Sequence, residues 1–261
     1  MPLEEFLERH PVFTWKDFHA FLPQDDRRSV KSVDVMLCRL GQQGAIGRIR
    51  RGLYYAVLKK KSSSTCSVDL YLAASRFTDD AVLGYLSALD IHAGARKPTG
   101  GRIYFFTGHK ARTTKFRGVR FVPCTHPESL LRTGWTDAEI ETVRRPGFDV
   151  RVTSPERTLV DILSRLKWCG DWRSSWPRLK KLSGLNLDSI VGYLERLDNS
   201  AITARVGWYI DRYRRRFDGT TDDYALFENG LPGQPRYLVP GERGGMLVPD
   251  WNIIVPTELA R

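Results

Sequence analysis

Residues 29–55, SVKSVDVMLCRLGQQGAIGRIRRGLYY, constrain the fold more than any other stretch of this 261-residue chain. Val30, Val33, Met36, Leu37 and Leu40 recur at helical spacing and fill one arc when projected at about 100° per residue. Arg28, Lys31, Ser32, Val35, Arg39 and Gln42 fall near the opposite side. Gly41 and Gly44 close the helix, and residues 46–58 then read as two strands around Arg51-Gly52. Upstream, Thr14 is a good N-cap for a short helix that Pro23 stops, and Ser29 caps the long one. Helix, turn, helix, glycine stop and basic hairpin is the order of a winged helix-turn-helix.

The placement of charge gives that order a partner. A recognition helix needs an apolar face on its own domain and a basic, polar face toward the major groove. Arg27, Arg28, Ser29, Lys31, Ser32, Val35 and Arg39 supply such a face: guanidinium and ammonium groups can reach guanine N7 and O6, and Val35 can touch a thymine methyl. Arg48, Arg50 and Arg51, packed into four residues of the hairpin, would lie along phosphates or enter the minor groove. If six such cations each neutralise a phosphate, affinity falls with salt at a log–log slope of roughly −5. The expected partner is double-stranded DNA.

Net charge over the chain is +11, but it is unevenly spread. Residues 1–61 carry 12 Lys/Arg against 7 Asp/Glu, residues 151–217 carry 14 against 7, and residues 218–261 carry 3 against 7. A second-rank basic site is therefore expected at Arg205, Arg212, Arg214, Arg215 and Arg216, for nucleic acid or an acidic partner. Cations at a helix C-terminus also favour the helix dipole, so the run can equally be a solvated helix end.

The charged run KKKSSS at residues 59–64 is the expected domain boundary. Beyond it the patterning predicts helices at 68–77, 81–92, 136–144, 155–166, 172–182, 187–197 and 201–214. Strands are expected at 102–107, 119–122, 148–152, 237–239 and 251–255, with a basic loop at 109–117. The class is α+β.

No chemistry-bearing constellation emerges. Cys38, Cys66, Cys124 and Cys169 form no Cys-x-x-Cys pair, and the five histidines share no metal-ligand spacing, so no metal or cofactor is expected. His92 reads as a helix-end histidine, and His126 as a loop residue without a partner. There is no P-loop, no nuclease tripeptide of the Glu-x-Lys type, and no nucleotidyltransferase motif. Glu156 and Asp161 lie five apart and point to different faces of their helix. Trp168, Trp172, Trp176 and Trp208 read as helix packing more readily than as base-stacking platforms. The chain is expected to be no enzyme. Separate thiols, an acidic start at Glu4, Glu5 and Glu8, and no apolar run near the roughly 20 residues of a membrane span point to a cytoplasmic protein without a membrane partner.

The order of segments resembles the AbiEi-type antitoxins of bacterial type IV toxin–antitoxin systems. The hairpin end RIRRGLYY (48–55) is similar to the family's "rGlYy" signature, and GYLSALDIHA (84–93) to its "ALxLHGL" segment, with Ala93-Gly94-Ala95 where Gly-Leu is usual. VTSPERTLVDIL (152–163) is the strongest match, to "vTspErTlvDll". RVGWYIDRY (205–213) and GGMLVPDWNIIVP (244–256) resemble two later segments. The resemblance implies a winged helix that represses its own operon, at operator DNA with inverted repeats. It also implies a larger domain that counteracts a nucleotidyltransferase toxin, a genetic partner with which no stable complex is expected. By the residues alone, 155–166 is a well-capped buried helix in which Thr158 and Asp161 serve packing or capping.

The chain is thus expected to comprise a winged helix-turn-helix at 1–61 and a mixed α/β antitoxin domain with a helical C-terminal half at 62–261. The alternative is a stand-alone winged-helix transcription factor whose larger domain senses a ligand. An apolar pocket with a few convergent polar groups would favour that alternative.

Overall fold

Leu3–Arg9 (α1), Val12–Thr14 (β1), Trp15–Phe21 (α2), Val30–Gln42 (α3), Ile46–Arg50 (β2) and Leu53–Ala56 (β3) open the chain. The structure, a computed structural model, describes residues 2–23, 30–57, 67–145, 148–169, 172–218 and 220–260. Thr14 caps α2 in a reciprocal capping box: its hydroxyl accepts from the Asp17 N–H at 3.1 Å, and the Asp17 carboxylate accepts from the Thr14 N–H at 2.8 Å. The strands form an antiparallel sheet in the order β1-β3-β2. One face of this sheet, through Phe13, Ile46 and Ala56, packs on Phe6, Phe18, Val33 and Leu37 of the helices. Arg27, Arg28 and the expected cap Ser29 lie outside the described residues, as do the boundary run at 59–64 and Cys66.

The larger part begins with Leu70–Ser75 (α4), Val82–Leu83 (β4), Tyr85–His92 (α5), Arg102–Phe106 (β5), Thr114–Phe116 (β6) and Val119–Cys124 (β7). Glu128–Thr133 (α6), Ile140–Arg145 (β8), Phe148–Thr153 (β9) and Pro155–Ser164 (α7) follow. Then come Trp172–Leu179 (α8), Leu185–Asn186 (β10), Leu187–Leu197 (α9), Ser200–Arg212 (α10), Phe217–Asp218 (β11) and Ala225–Asn229 (α11). Arg236–Tyr237 (β12), Met246–Val248 (β13), Ile253–Val255 (β14) and Thr257–Ala260 (α12) complete it. The class is mixed α+β, as expected.

A six-stranded mixed sheet, β6-β7-β5-β4-β9-β8, organises this part. Its central strand β5 is apolar on both faces, because both are covered. Tyr104 and Phe106 join α5, α7, α9 and α10 in the larger core, while Ile103 and Phe105 point the other way, toward α4. On that second side the N-terminal part and the larger part share one core. Val12, Ile49, Leu53 and Tyr55 of the N-terminal sheet belong to the same core as Tyr71, Phe77, Phe105, Phe121 and Val152. The N-terminal sheet is therefore buried on both faces. Within the sheet, the Tyr55 ring lies across its cross-strand partner Gly47, where a Cβ would come within 2.1 Å of it.

Two helix expectations give way to strand pairing. Residues 81–92 were expected as one helix, but Val82–Leu83 pairs with both β5 and β9. Gly84 then passes the Phe106 ring so closely that a Cβ would sit 2.4 Å from it, and α5 starts only at Tyr85. Residues 136–144 were expected as a helix; the structure has a turn and then β8, zipped antiparallel to β9 from Ile140↔Thr153 to Arg145↔Phe148. Partner strands outweigh the weak local propensity there. The Pro155 helix forms as expected, with Ser154 Oγ accepting from the Arg157 N–H at 3.1 Å. No helix among the described residues is long and apolar enough to cross a membrane.

Candidate nucleic-acid interface

The exposed side of α3 follows from its buried side. Val33 and Leu37 are buried and Met36 and Leu40 half-buried, which leaves Lys31, Asp34, Val35, Cys38, Arg39 and Gln42 in solvent. Val35 is 56% exposed on this outward face. Ser32 is half-buried at the edge of this face. Asp34 was missed by the sequence reading. It lies on the same face, where Trp15 Nε1 of α2 donates to its Oδ1 at 2.9 Å and so ties the two helices together.

The β2–β3 hairpin stands beside this face. The Tyr54 hydroxyl is raised above its ordinary pKa by burial and by Asp34, against the lowering influence of Arg48 and Arg51. Arg48 stands opposite Tyr54 in the hairpin ladder. Arg48 and Arg51 are both exposed.

Arg50 is not with them. Strict strand alternation would put Arg48 and Arg50 on one face. The ladder instead pairs Arg48 with Tyr54 and Arg50 with Leu53, so two residues advance on β2 for one on β3. This bulge turns Arg50 to the Leu53 side. There its Nη2 donates to the Phe77 carbonyl and its Nη1 to the Arg51 carbonyl at 3.1 Å, with the guanidinium 5.0 Å above the Phe77 ring. Burial lowers its pKa. The expected DNA contact by Arg50 is corrected: this side chain fastens the hairpin to the larger domain.

The same junction brings up the basic loop after β5. Thr107 Oγ1 and the Gly108 N–H both donate to Asp80 at 2.7 Å, and His109 Nε2 lies 3.9 Å from the same carboxylate. His109 lines a cleft of about 490 Å³ with Trp15, Lys16, Arg50 and the hairpin turn Gly52. Lys110 and Arg112, one and three residues on, are exposed and have no ion-pair partner among the described residues. The hairpin is further held by Arg117, which donates to the Tyr55 hydroxyl at 3.2 Å, and α2 by the Lys16–Asp79 pair at 3.0 Å.

The second basic group is not one patch. Arg205 is drawn inward, its Nε donating to the Tyr237 carbonyl at 3.1 Å and its Nη1 to the Ser164 carbonyl at 3.2 Å. Two helical turns on, Arg212 and Arg215 are exposed, Arg214 pairs with Asp211 at 3.3 Å, and Arg216 donates to the Leu182 carbonyl at 3.3 Å. Trp172, Trp176 and Trp208 are buried, as packing required.

The α7 motif is interior structure. Arg157 is fully buried between the rings of Phe106 and Tyr193, each 5.2 Å from its guanidinium. It donates to the Thr136 carbonyl at 2.9 Å, the Ala138 carbonyl at 2.6 Å and Asp161 at 3.3 Å. The Tyr193 hydroxyl donates to the other Asp161 oxygen at 2.9 Å, and Thr158 bonds back to Thr153. His126 is corrected: it is buried, stacked on Phe106 and 3.4 Å from Arg157. Burial, then the Arg157 charge, brings its pKa down to about 4. His92 is held by the Thr153 carbonyl at 2.8 Å. Burial pushes the Cys124 thiol up to about 12, which leaves it a poor nucleophile. Among the described residues no cluster of His, Cys, Asp and Glu could hold a metal ion.

No protein-family model matches the chain, and no curated protein matches it. Among solved structures it is similar to the RV2827C protein from Mycobacterium tuberculosis, with a TM-score of 0.57 over 97% of this chain and 89% of that one. At 16% identity the likeness is one of fold alone.

Proposed function

We propose that this chain binds double-stranded DNA through an N-terminal winged helix-turn-helix, with α3 in the major groove and the β2–β3 hairpin as the wing. The reading is carried by the exposed face of α3, where Lys31, Val35 and Arg39 stand clear of the domain beside Arg48 and Arg51. The element order and the β1-β3-β2 sheet support it, since both are those of a winged helix. Lys110 and Arg112 extend the basic surface past the wing turn, so the phosphate contacts would run onto the larger domain.

The resemblance to AbiEi-type antitoxins gives this DNA binding a purpose: repression of the chain's own operon, with a nucleotidyltransferase toxin counteracted by the larger domain. Capture of an inverted-repeat fragment from upstream of the chain's own gene is the direct test. Lys31→Ala and Arg39→Ala should each weaken binding to it roughly tenfold or more, the value of one good base contact, while weakening random duplex less. Equal losses on both duplexes would reject α3 as the reading helix. Rescue of cells expressing a nucleotidyltransferase toxin encoded beside the chain's gene is the test of the antitoxin half, and the lack of such a gene, or toxicity undiminished by the full chain, would reject it.

A further inference from the structure

Away from α3, a second cleft of about 550 Å³ opens between α6, α7 and the start of α10. Three arginines reach it from three separate elements: Arg132 on α6, Arg165 just after α7, and Arg205 on α10. Among the described residues none of the three forms an ion pair with a carboxylate. Arg205 is fixed by two backbone carbonyls, which orient its guanidinium without neutralising it. Arg165 is fixed by stacking, its guanidinium 4.9 Å above the Trp168 ring. Asp161 reaches the floor, but its two oxygens are committed to Arg157 and Tyr193. That leaves Glu128 as the exposed acid of the cleft against three cations.

The floor also carries backbone strain. Tyr85 has φ of 52°, a left-handed conformation that is an outlier for a bulky residue, yet it is buried. Strain of this kind costs about 1–3 kcal/mol and persists where the surroundings fix it, commonly at ligand sites. Here Gly84 is wedged against Phe106, and the Tyr85 ring is packed against Phe106 and Trp168.

We infer that this cleft binds a small phosphate-bearing ligand of nucleotide size. Guanidinium groups match phosphate oxygens bidentately, and the three that line this cleft outnumber its acids, Glu128 and the already committed Asp161. The volume falls in the range of about 300–1,000 Å³ usual for small-molecule sites. Leu197 and Ile202 supply an apolar wall on which a base or similar ring can rest. The inference is independent of the DNA-binding reading, because it uses none of the same residues.

The test is calorimetric titration of the full chain with inorganic pyrophosphate and, separately, with each of the four ribonucleoside triphosphates, at constant ionic strength. One saturable site is expected. Arg132→Ala and Arg165→Ala should each weaken it at least tenfold, and the charge reversal Arg132→Glu should abolish it. The Arg48→Ala/Arg51→Ala variant should bind unchanged. Arg132 is exposed, so its variants should melt like the parent, which keeps the test valid even if Arg165→Ala fails to fold. Equal affinity for pyrophosphate and nucleotides would assign the site to the phosphates alone, and tighter nucleotide binding would add the apolar wall. No saturable binding up to millimolar ligand, binding untouched by Arg132→Glu, or binding lost in the hairpin variant would each overturn the assignment.

Discussion

Arg48→Ala and Arg50→Ala should behave as opposites, although the two residues are neighbours in one arginine-rich hairpin. Each phosphate neutralised adds about 0.9 to the salt slope on duplex DNA. With six cations, the sequence alone leads to a slope of roughly −5.4; withdrawing Arg50 to the Phe77 carbonyl leaves five and a slope of roughly −4.5. Arg48→Ala and Arg51→Ala should each flatten the slope by about 0.9, which weakens the salt response between 50 and 200 mM roughly 3.5-fold. Arg50→Ala should leave the slope of the parent. Its effect falls on stability instead: one charge-assisted hydrogen bond and a ring contact are lost, and the Phe77 carbonyl is orphaned, together about 2 kcal/mol. Fluorescence anisotropy on a labelled operator duplex across five salt concentrations measures the slopes, and urea unfolding measures the stability. A slope in Arg50→Ala flattened as much as in Arg48→Ala, with unchanged urea midpoint, would refute the bulge argument.

Two further outcomes concern the interior. His126 titrates near 6.5 in an unfolded chain and at about 4 when folded. The unfolded state therefore binds more protons between those values, so the stability is fully present above pH 6.5 and is lost as pH falls toward 4. The loss amounts to roughly 3 kcal/mol. His126→Gln should show a correspondingly smaller drop between pH 7 and pH 4.5 in urea unfolding, and an unaltered drop would clear His126 of the role. Arg157→Met should destabilise the fold by about 3–5 kcal/mol, since it leaves Asp161 buried and unpaired. A loss below about 1 kcal/mol in the same assay would show that the pair is not an interior requirement.

Much of this was legible because it is local. The α3 periodicity, the Thr14 and Ser154 caps and the Pro155 start are properties of a few consecutive residues, and each places its element. Failures came where partners distant in the chain decide. Val82–Leu83 is a strand because β5 and β9 flank it, and residues 140–145 are a strand because β9 lies alongside. The direction of Arg50 rests on a one-residue slip in pairing register that no pattern of arginines encodes. The arginine cleft was equally invisible: Arg132, Arg165 and Arg205 come from three elements and resemble three ordinary surface cations in the sequence. Only Arg205 stands out in the sequence, and there it groups with Arg212, Arg214, Arg215 and Arg216 rather than with the other two.

The N-terminal sheet, buried on both faces, has a consequence for how such chains can change over time. An N-terminal module that ends at a flexible tether can be exchanged between proteins whole. Here Val12, Ile49, Leu53 and Tyr55 must fit a surface made by Tyr71, Phe77 and Phe121, and Arg50 must find a carbonyl on the far side. If α3 reads DNA as proposed, a new specificity can be acquired cheaply by repainting its outward side, but not by transplanting the first fifty-seven residues. Trading the whole N-terminal part would require recarving the seat it rests on, so the two halves of this chain are bound to drift together.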